Sequence, residues 1–352
     1  MLISTRLLAL VIVPFLLGAF VILYFFPKET ARLFAWPIKP TMTSMVLASA
    51  YLGGAYFFLR VLVERHWNAI KIGFPPVILF AGLLGVATVM HWDVFNHRHA
   101  TFWIWAALYF TTPFLVLWAW LANRRIAGSP LTDELRLGPQ ARLIIGMIGL
   151  LALVQGLIMF VAPQLVMPFW PWSLTPLTCR VVGAIFCLGS AGLGVFADPR
   201  WSSVTMLLEV EMIMVPLMLI AAIRAPRELH PHRVSTWLLG AGFVAILIGS
   251  IYFWVVLTAR GAFDQSQKNR LRRRTPSSRR CSESNAPREL YSAPRWLAGS
   301  GPRSSRPAQN LTPPPAAQQS APRSRNQSLP SASAFWPVPS SWSLTRCRMC
   351  LR

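Results

Sequence analysis

Charge is what this sequence has least of. Only 13% of its 352 residues are Asp, Glu, Lys or Arg, against about a quarter in an average soluble domain. A chain so poor in charge cannot cover a soluble surface. Cysteine is scarce as well. The five, Cys179, Cys187, Cys281, Cys347 and Cys350, are scattered, which excludes a disulfide framework. Cys347-x-x-Cys350 lies in a segment with no histidine, so it falls short of the four ligands of a structural zinc site. Also missing are a Gly-x-x-x-x-Gly-Lys phosphate loop, Gly-x-Ser-x-Gly, His-Glu-x-x-His and a Gly-x-Gly-x-x-Gly after a strand. No common enzyme class is announced, the reading favours a non-enzyme, and no cofactor can be named.

What the chain does have is long apolar runs. A helix needs about 20 mostly apolar residues to cross the hydrocarbon core. Segments 7–26, 42–63, 73–90, 101–121, 143–161, 177–197, 203–223 and 237–257 meet or approach that length. The first is longer than a signal-peptide core and no small-x-small site closes it, so it reads as a retained span. The connections are too short for a folded soluble domain. The expected fold is all-α: a polytopic transmembrane bundle of about eight spans over residues 1–262, in contact with lipid. A C-terminal tail, 263–352, is expected to be disordered.

Two stretches repeat each other 136 positions apart. Trp36-Pro37-Ile38-Lys39-Pro40 matches Trp172-Ser173-Leu174-Thr175-Pro176, and the same offset pairs Gly53 with Gly189, Trp118 with Trp254 and Arg124 with Arg260. The offset implies two repeat units, about 1–126 and 137–262. Each holds four spans, an even number, so the repeat is parallel, about an axis along the membrane normal. Lys and Arg in the short loops then vote weakly for both termini in the cytoplasm and a place in the cytoplasmic membrane.

On that topology the passages carrying Trp36, Trp170 and Trp172 lie outside and read as interface aromatics, because Trp prefers the headgroup level. Five of the six histidines share their face. His91, His97 and His99 precede the fourth span; His230 and His232 precede the eighth. With Asp93 they form a candidate metal set, although neighbouring arginines would repel a cation. Glu209 and Glu211 fall inside the seventh span. An ionisable group at that depth is costly, so it faces the bundle or a wet cavity. They are candidates for a proton or cation relay, with Gln155 of the fifth span as a neutral partner. Arg180 is expected to reach the outer interface rather than pair with them.

From residue 263 the chain carries 16 of its 34 basic residues and 3 of its 12 acidic ones. The tail is rich in Arg, Pro and Ser, with no periodic apolar face. Its first part, Lys268 to Arg280, would attract anionic lipid on the cytoplasmic side. The same bias also fits out-of-frame translation of GC-rich DNA. The net charge of +22 comes largely from this tail and gives no reason to invoke nucleic acid. The wording Trp-x-Ile-x-Pro-x-Met-Thr at Trp36–Thr43 resembles uncharacterised bacterial multi-span membrane proteins over most of residues 1–260. The resemblance implies a membrane bundle and no activity. Three classes of function follow: a small transporter coupled through Glu209 and Glu211, a metal-binding membrane protein or metalloenzyme using the outer histidines, and a scaffold of a membrane complex.

Overall fold

A computed structural model describes residues 2–124 and 135–274, with side chains as far as residue 260. Among the described residues there is no strand, only isolated bridges between Arg136 and Arg200 and between Trp172 and Leu229. Eight helices are long and apolar enough to cross a membrane: α1 (Ile3–Phe25), α2 (Thr41–Val63), α3 (Lys71–Met90), α4 (Ala100–Arg124), α5 (Pro139–Val161), α6 (Pro176–Ala197), α7 (Trp201–Arg224) and α8, whose span is Val234–Arg260. Each corresponds to one expected apolar run.

Several helix starts are written in the local sequence. Pro139 and Pro176 stand in first turns, where a missing N–H costs nothing. Thr175 caps α6, exchanging bonds with Thr178 in a capping box that satisfies two donors at once. The last helix does not stop at residue 262, where the tail was expected to begin. It continues to Arg274. The added turns hold Gln, Lys, Leu and Arg, which are good helix formers, so propagation continues past the membrane. Residues 275–352 of the expected tail lie outside the described residues.

Because the spans alternate in direction, the bundle has two faces. The near face holds the start of α1, the α2–α3 and α6–α7 connections and the end of α8's span. The far face holds the α1–α2, α3–α4, α5–α6 and α7–α8 connections. Sequence neighbours pack as hairpins: α1 on α2, α3 on α4, α5 on α6 and α7 on α8. Two further interfaces tie the hairpins together, α2 on α7 and α3 on α6, and α2 also touches α6. Helices α2, α3 and α6 are accordingly central. Some 61% of the apolar window of α2 is buried, against 6% for α8, whose main packing is on α7.

The α5–α6 interface is made of backbone. A Cβ on Gly156 would lie 2.5 Å from the Gly183 carbonyl, and one on Gly149 would lie 2.7 Å from the Gly189 carbonyl. Small residues let two helices come this close in lipid, where packing rather than water drives association. Midway, α6 tightens into 3₁₀ turns over Leu188–Leu193. The α3–α4 interface uses the same device once. Pro113 has no N–H for the Tyr109 carbonyl, and that carbonyl sits against Gly85, at 2.9 Å from where a Cβ would be.

The two far-face connections before α4 and α8 are built alike. Asn96 N–H donates to the Ala35 carbonyl at 3.0 Å, and His230 N–H to the Pro171 carbonyl at 2.8 Å. The Trp103 indole donates to the His97 carbonyl at 3.0 Å, and the Trp237 indole to the Pro231 carbonyl at 2.9 Å.

Candidate functional site

The charged groups of the bundle gather on the α2–α7 and α3–α6 interfaces. Each interface is closed by a charged contact at both faces.

At the near face of the α2–α7 interface stands Glu209. It lies eight residues into α7, about 12 Å from the helix start. Its Oε2 accepts a 2.6 Å bond from the Tyr56 hydroxyl and lies 3.4 Å from Arg60 Nη1. Arg60 is three residues from the end of α2, where a long basic side chain ordinarily reaches out to water. Here its guanidinium bridges inward to Glu209 and outward to Glu64, 3.9 Å from Nη2. Tyr56, Arg60 and Glu64 are spaced by four, so they form one polar stripe on α2. Glu64 is held by the backbone N–H groups of Arg65 and His66 at 2.8 and 3.1 Å. Burial raises its pKa, but those two bonds and the Arg60 charge outweigh burial and keep it below the usual carboxylate range.

At the near face of the α3–α6 interface stands Asp198, just past the end of α6. It takes Lys71 Nζ at 2.7 Å and Arg200 through two bonds of 2.7 and 2.6 Å. Its side chain is 3% exposed. Burial alone would raise its pKa; the bonds from Arg200 and Lys71 prevail and hold it at about 2.

The far face closes differently. Arg180, buried four residues into α6, donates through Nη1 to His91 Nε2 at 2.8 Å. Arginine can only donate, so His91 accepts as the neutral ring. Burial, and then the Arg180 charge, push the His91 pKa down. Arg180 thus extends to the far end of the bundle and binds there to His91, which stands just past the end of α3. Across on the α2–α7 side, Glu228 caps α2. Its carboxylate accepts from Thr41 N–H at 3.0 Å, Thr41 hydroxyl at 2.7 Å and Met42 N–H at 2.7 Å. A carboxylate there satisfies orphan donors and meets the positive end of the helix dipole.

The remaining expected site residues are dispersed. Glu211 turns to α8, where the Ser250 hydroxyl donates to it at 3.0 Å. Gln155 lines a cavity of about 460 Å³ with Trp170, Phe186 and Leu238, between α5, α6 and α8, and neither acid lines it. His97 stacks between Trp92 and Phe102, His99 meets Asn96, and His230 meets Ser173. His230 and His232 have ring centres 5.6 Å apart, and Asp93 is exposed. The two His-x-His motifs stand out of step: the carbonyl that receives the tryptophan belongs to His97 in one loop and to Pro231 in the other. Among the described residues no three His, Cys, Asp or Glu side chains gather as a metal set would require.

Trp36, Trp172 and Trp170 are 1%, 2% and 5% exposed, so they point into the protein rather than out to a headgroup belt. Trp36 packs edge-on against Phe95 and Trp105, and the Trp172 indole donates to Thr43 of α2 at 2.9 Å. The sequence alone singled out none of Tyr56, Arg60, Asp198 and Glu228. The signal for Tyr56 was available: polar residues at 56, 60 and 64, four apart, along and just past the end of an apolar run.

Comparison of the chain with protein-family models, with curated proteins and with solved structures found no match.

Proposed function

We propose that this membrane protein is a small transporter made of two like halves, α1–α4 and α5–α8, with Glu209 as its coupling carboxylate. Several features support the duplication. Exchanging α1 with α5, α2 with α6, α3 with α7 and α4 with α8 turns the α2–α7 interface into the α3–α6 interface and leaves the hairpins unchanged. The matched Trp103 and Trp237 bonds obey the same exchange. Both cross interfaces run between the halves, so all four charged closures do too. In this reading both termini are cytoplasmic, the protein sits in the cytoplasmic membrane, and the basic run from Lys268 lies against anionic headgroups.

The observation that carries the proposal is the Glu209 carboxylate held across the interface by Tyr56 and Arg60 of the other half. A charge at that depth, paired between two bodies, ties its protonation to their separation. Glu211 bonds within its own half and plays the lesser part. The metal and scaffold readings have no comparable observation behind them.

The test is electrical. Proteoliposomes on a solid-supported membrane are challenged in turn with organic anions, organic cations, amino acids and sugars, with and without a pH step. The wild type is expected to give a pH-dependent current with one class. Glu209→Gln is expected to lose it while eluting as a folded species. Silence across all classes overturns the proposal.

A further inference from the structure

We propose that the substrate of this site is a small oxyanion, bearing a carboxylate, sulfate or phosphate group, and that Arg60 receives it once Glu209 has taken up a proton. The inference rests on the transporter reading above and names its substrate class.

The two near-face clusters differ in how fully their cations are used. Asp198 absorbs Lys71 and Arg200 in bonds of 2.6 to 2.7 Å. Nothing is left over, and that cluster is structural. Arg60 is spent loosely. Its contacts to Glu209 and Glu64 are single and long, 3.4 and 3.9 Å, and its Nε is buried without a hydrogen bond. A guanidinium is a planar fork that matches an oxyanion through two parallel bonds. Neither glutamate takes the fork that way.

The surroundings decide which acid can let go. Glu64 is fixed by two backbone N–H groups, by a 3.5 Å contact with His66, and by Arg6, which donates to its carbonyl at 2.9 Å. Glu209 has no backbone donor; its one hydrogen bond comes from Tyr56. Glu211, on the same helix, is turned away to Ser250. Lys71 is committed to Asp198.

A proton on Glu209 therefore does two things. It removes the nearer counter-charge of Arg60, and it turns the carboxylate from an acceptor into a donor. Arg60, the Tyr56 hydroxyl and the protonated carboxyl then present donors to one place, and the guanidinium, which stays charged, calls for an anion. The same permanent charge repels a cationic substrate. Proton and oxyanion enter together; the site's net charge is unchanged by the pair when the anion is singly charged, and falls by one with sulfate.

The test is direct binding to the purified full chain in neutral detergent, with sulfate and benzenesulfonate as probes, because their charges stay constant with pH. Calorimetric titration at about pH 8 should show Glu209→Gln, which removes the counter-charge of Arg60, binding about tenfold or more tighter than the wild type. The wild-type affinity should rise as pH falls, while that of Glu209→Gln should not change with pH. Arg60→Gln should bind neither probe, and Arg60→Lys, which keeps the charge but not the fork, should fall between. A Glu209→Gln chain that gains no affinity overturns the proposal. So does an Arg60→Gln chain that still binds. Thermal unfolding of each variant separates lost binding from lost fold. Labelled sulfate uptake separates the two claims: binding without flux defeats the transporter and spares the anion site, while flux of another class without anion binding does the reverse.

Discussion

Asp198 and Glu209 are both near-face carboxylates facing arginine, yet their chemistry differs through geometry. Asp198 is locked. With a pKa of about 2 folded and 3.8 as the reference value, its contribution to stability is complete above about pH 4. It drains away as pH falls through about 2, because a depressed acid must be protonated for its bonds to fail. The gap is worth about 2 kcal/mol at neutral pH. Asp198→Asn should cost about that much in thermal unfolding and flatten the acid limb of the stability curve. If the variant keeps the wild-type slope below about pH 4, Asp198 is not the group responsible. None of this was readable from residue types. Asp198 and Lys71 are 127 positions apart, and the sequence offered Glu209 only Gln155 of α5 as a partner. The structure instead packs α7 on α2, and that choice of neighbour decides the partner. Hydropathy reports that a helix is buried in lipid and is silent about which helix lies beside it.

Among the elements, the glycines separate two kinds of contact. At Gly156 a new Cβ would meet the Gly183 carbonyl at 2.5 Å and the Cys187 backbone nitrogen at 2.8 Å. At Gly53 it would meet side chains only, those of Met214 and, at 3.3 Å, Val210. Backbone cannot step aside, whereas a methionine can. Gly156→Ala should therefore destabilise by about 2 kcal/mol or more, as overpacking does, while Gly53→Ala should stay within about 1 kcal/mol after Met214 changes rotamer. Unfolding temperatures of the two variants in one detergent compare them; equal losses would contradict the distinction. The eight spans themselves were legible because each is a run of apolar residues near the bilayer thickness. The inward turn of Trp36, Trp170 and Trp172 was not. The same composition serves a headgroup belt or a packed loop, and only the fold of the proline-rich passages tells them apart.

For the whole molecule, the arrangement of interfaces suggests how it can be divided. Each half makes its own hairpins, and the α2–α7 and α3–α6 interfaces join them. A chain cut at about residue 130 should reassemble: the two pieces, co-expressed with a tag on one, are expected to co-purify in equal amounts and to keep the wild-type response to pH. Failure to co-purify from a membrane that holds both pieces would mean that the α2–α7 and α3–α6 interfaces do not suffice to rejoin them. The offset of 136 in the sequence rests mostly on Trp, Pro, Gly and small apolar residues. It carried no trace of the charged closures, since Glu209 has Gly73 at the matching place and Glu228 has no acid there either.

Glu228 has a consequence for how the protein is made. The start of α2 is capped by a side chain 187 positions further along the chain. While the ribosome is still at work on the later spans, the first turn of α2 sits in the membrane with its donors open and no native partner synthesised. That window closes only when the segment after α7 has been translated and delivered to the far side. Any insertion factor that shelters early helices should therefore hold α2 longest, and assembly of this protein should finish in a single late step.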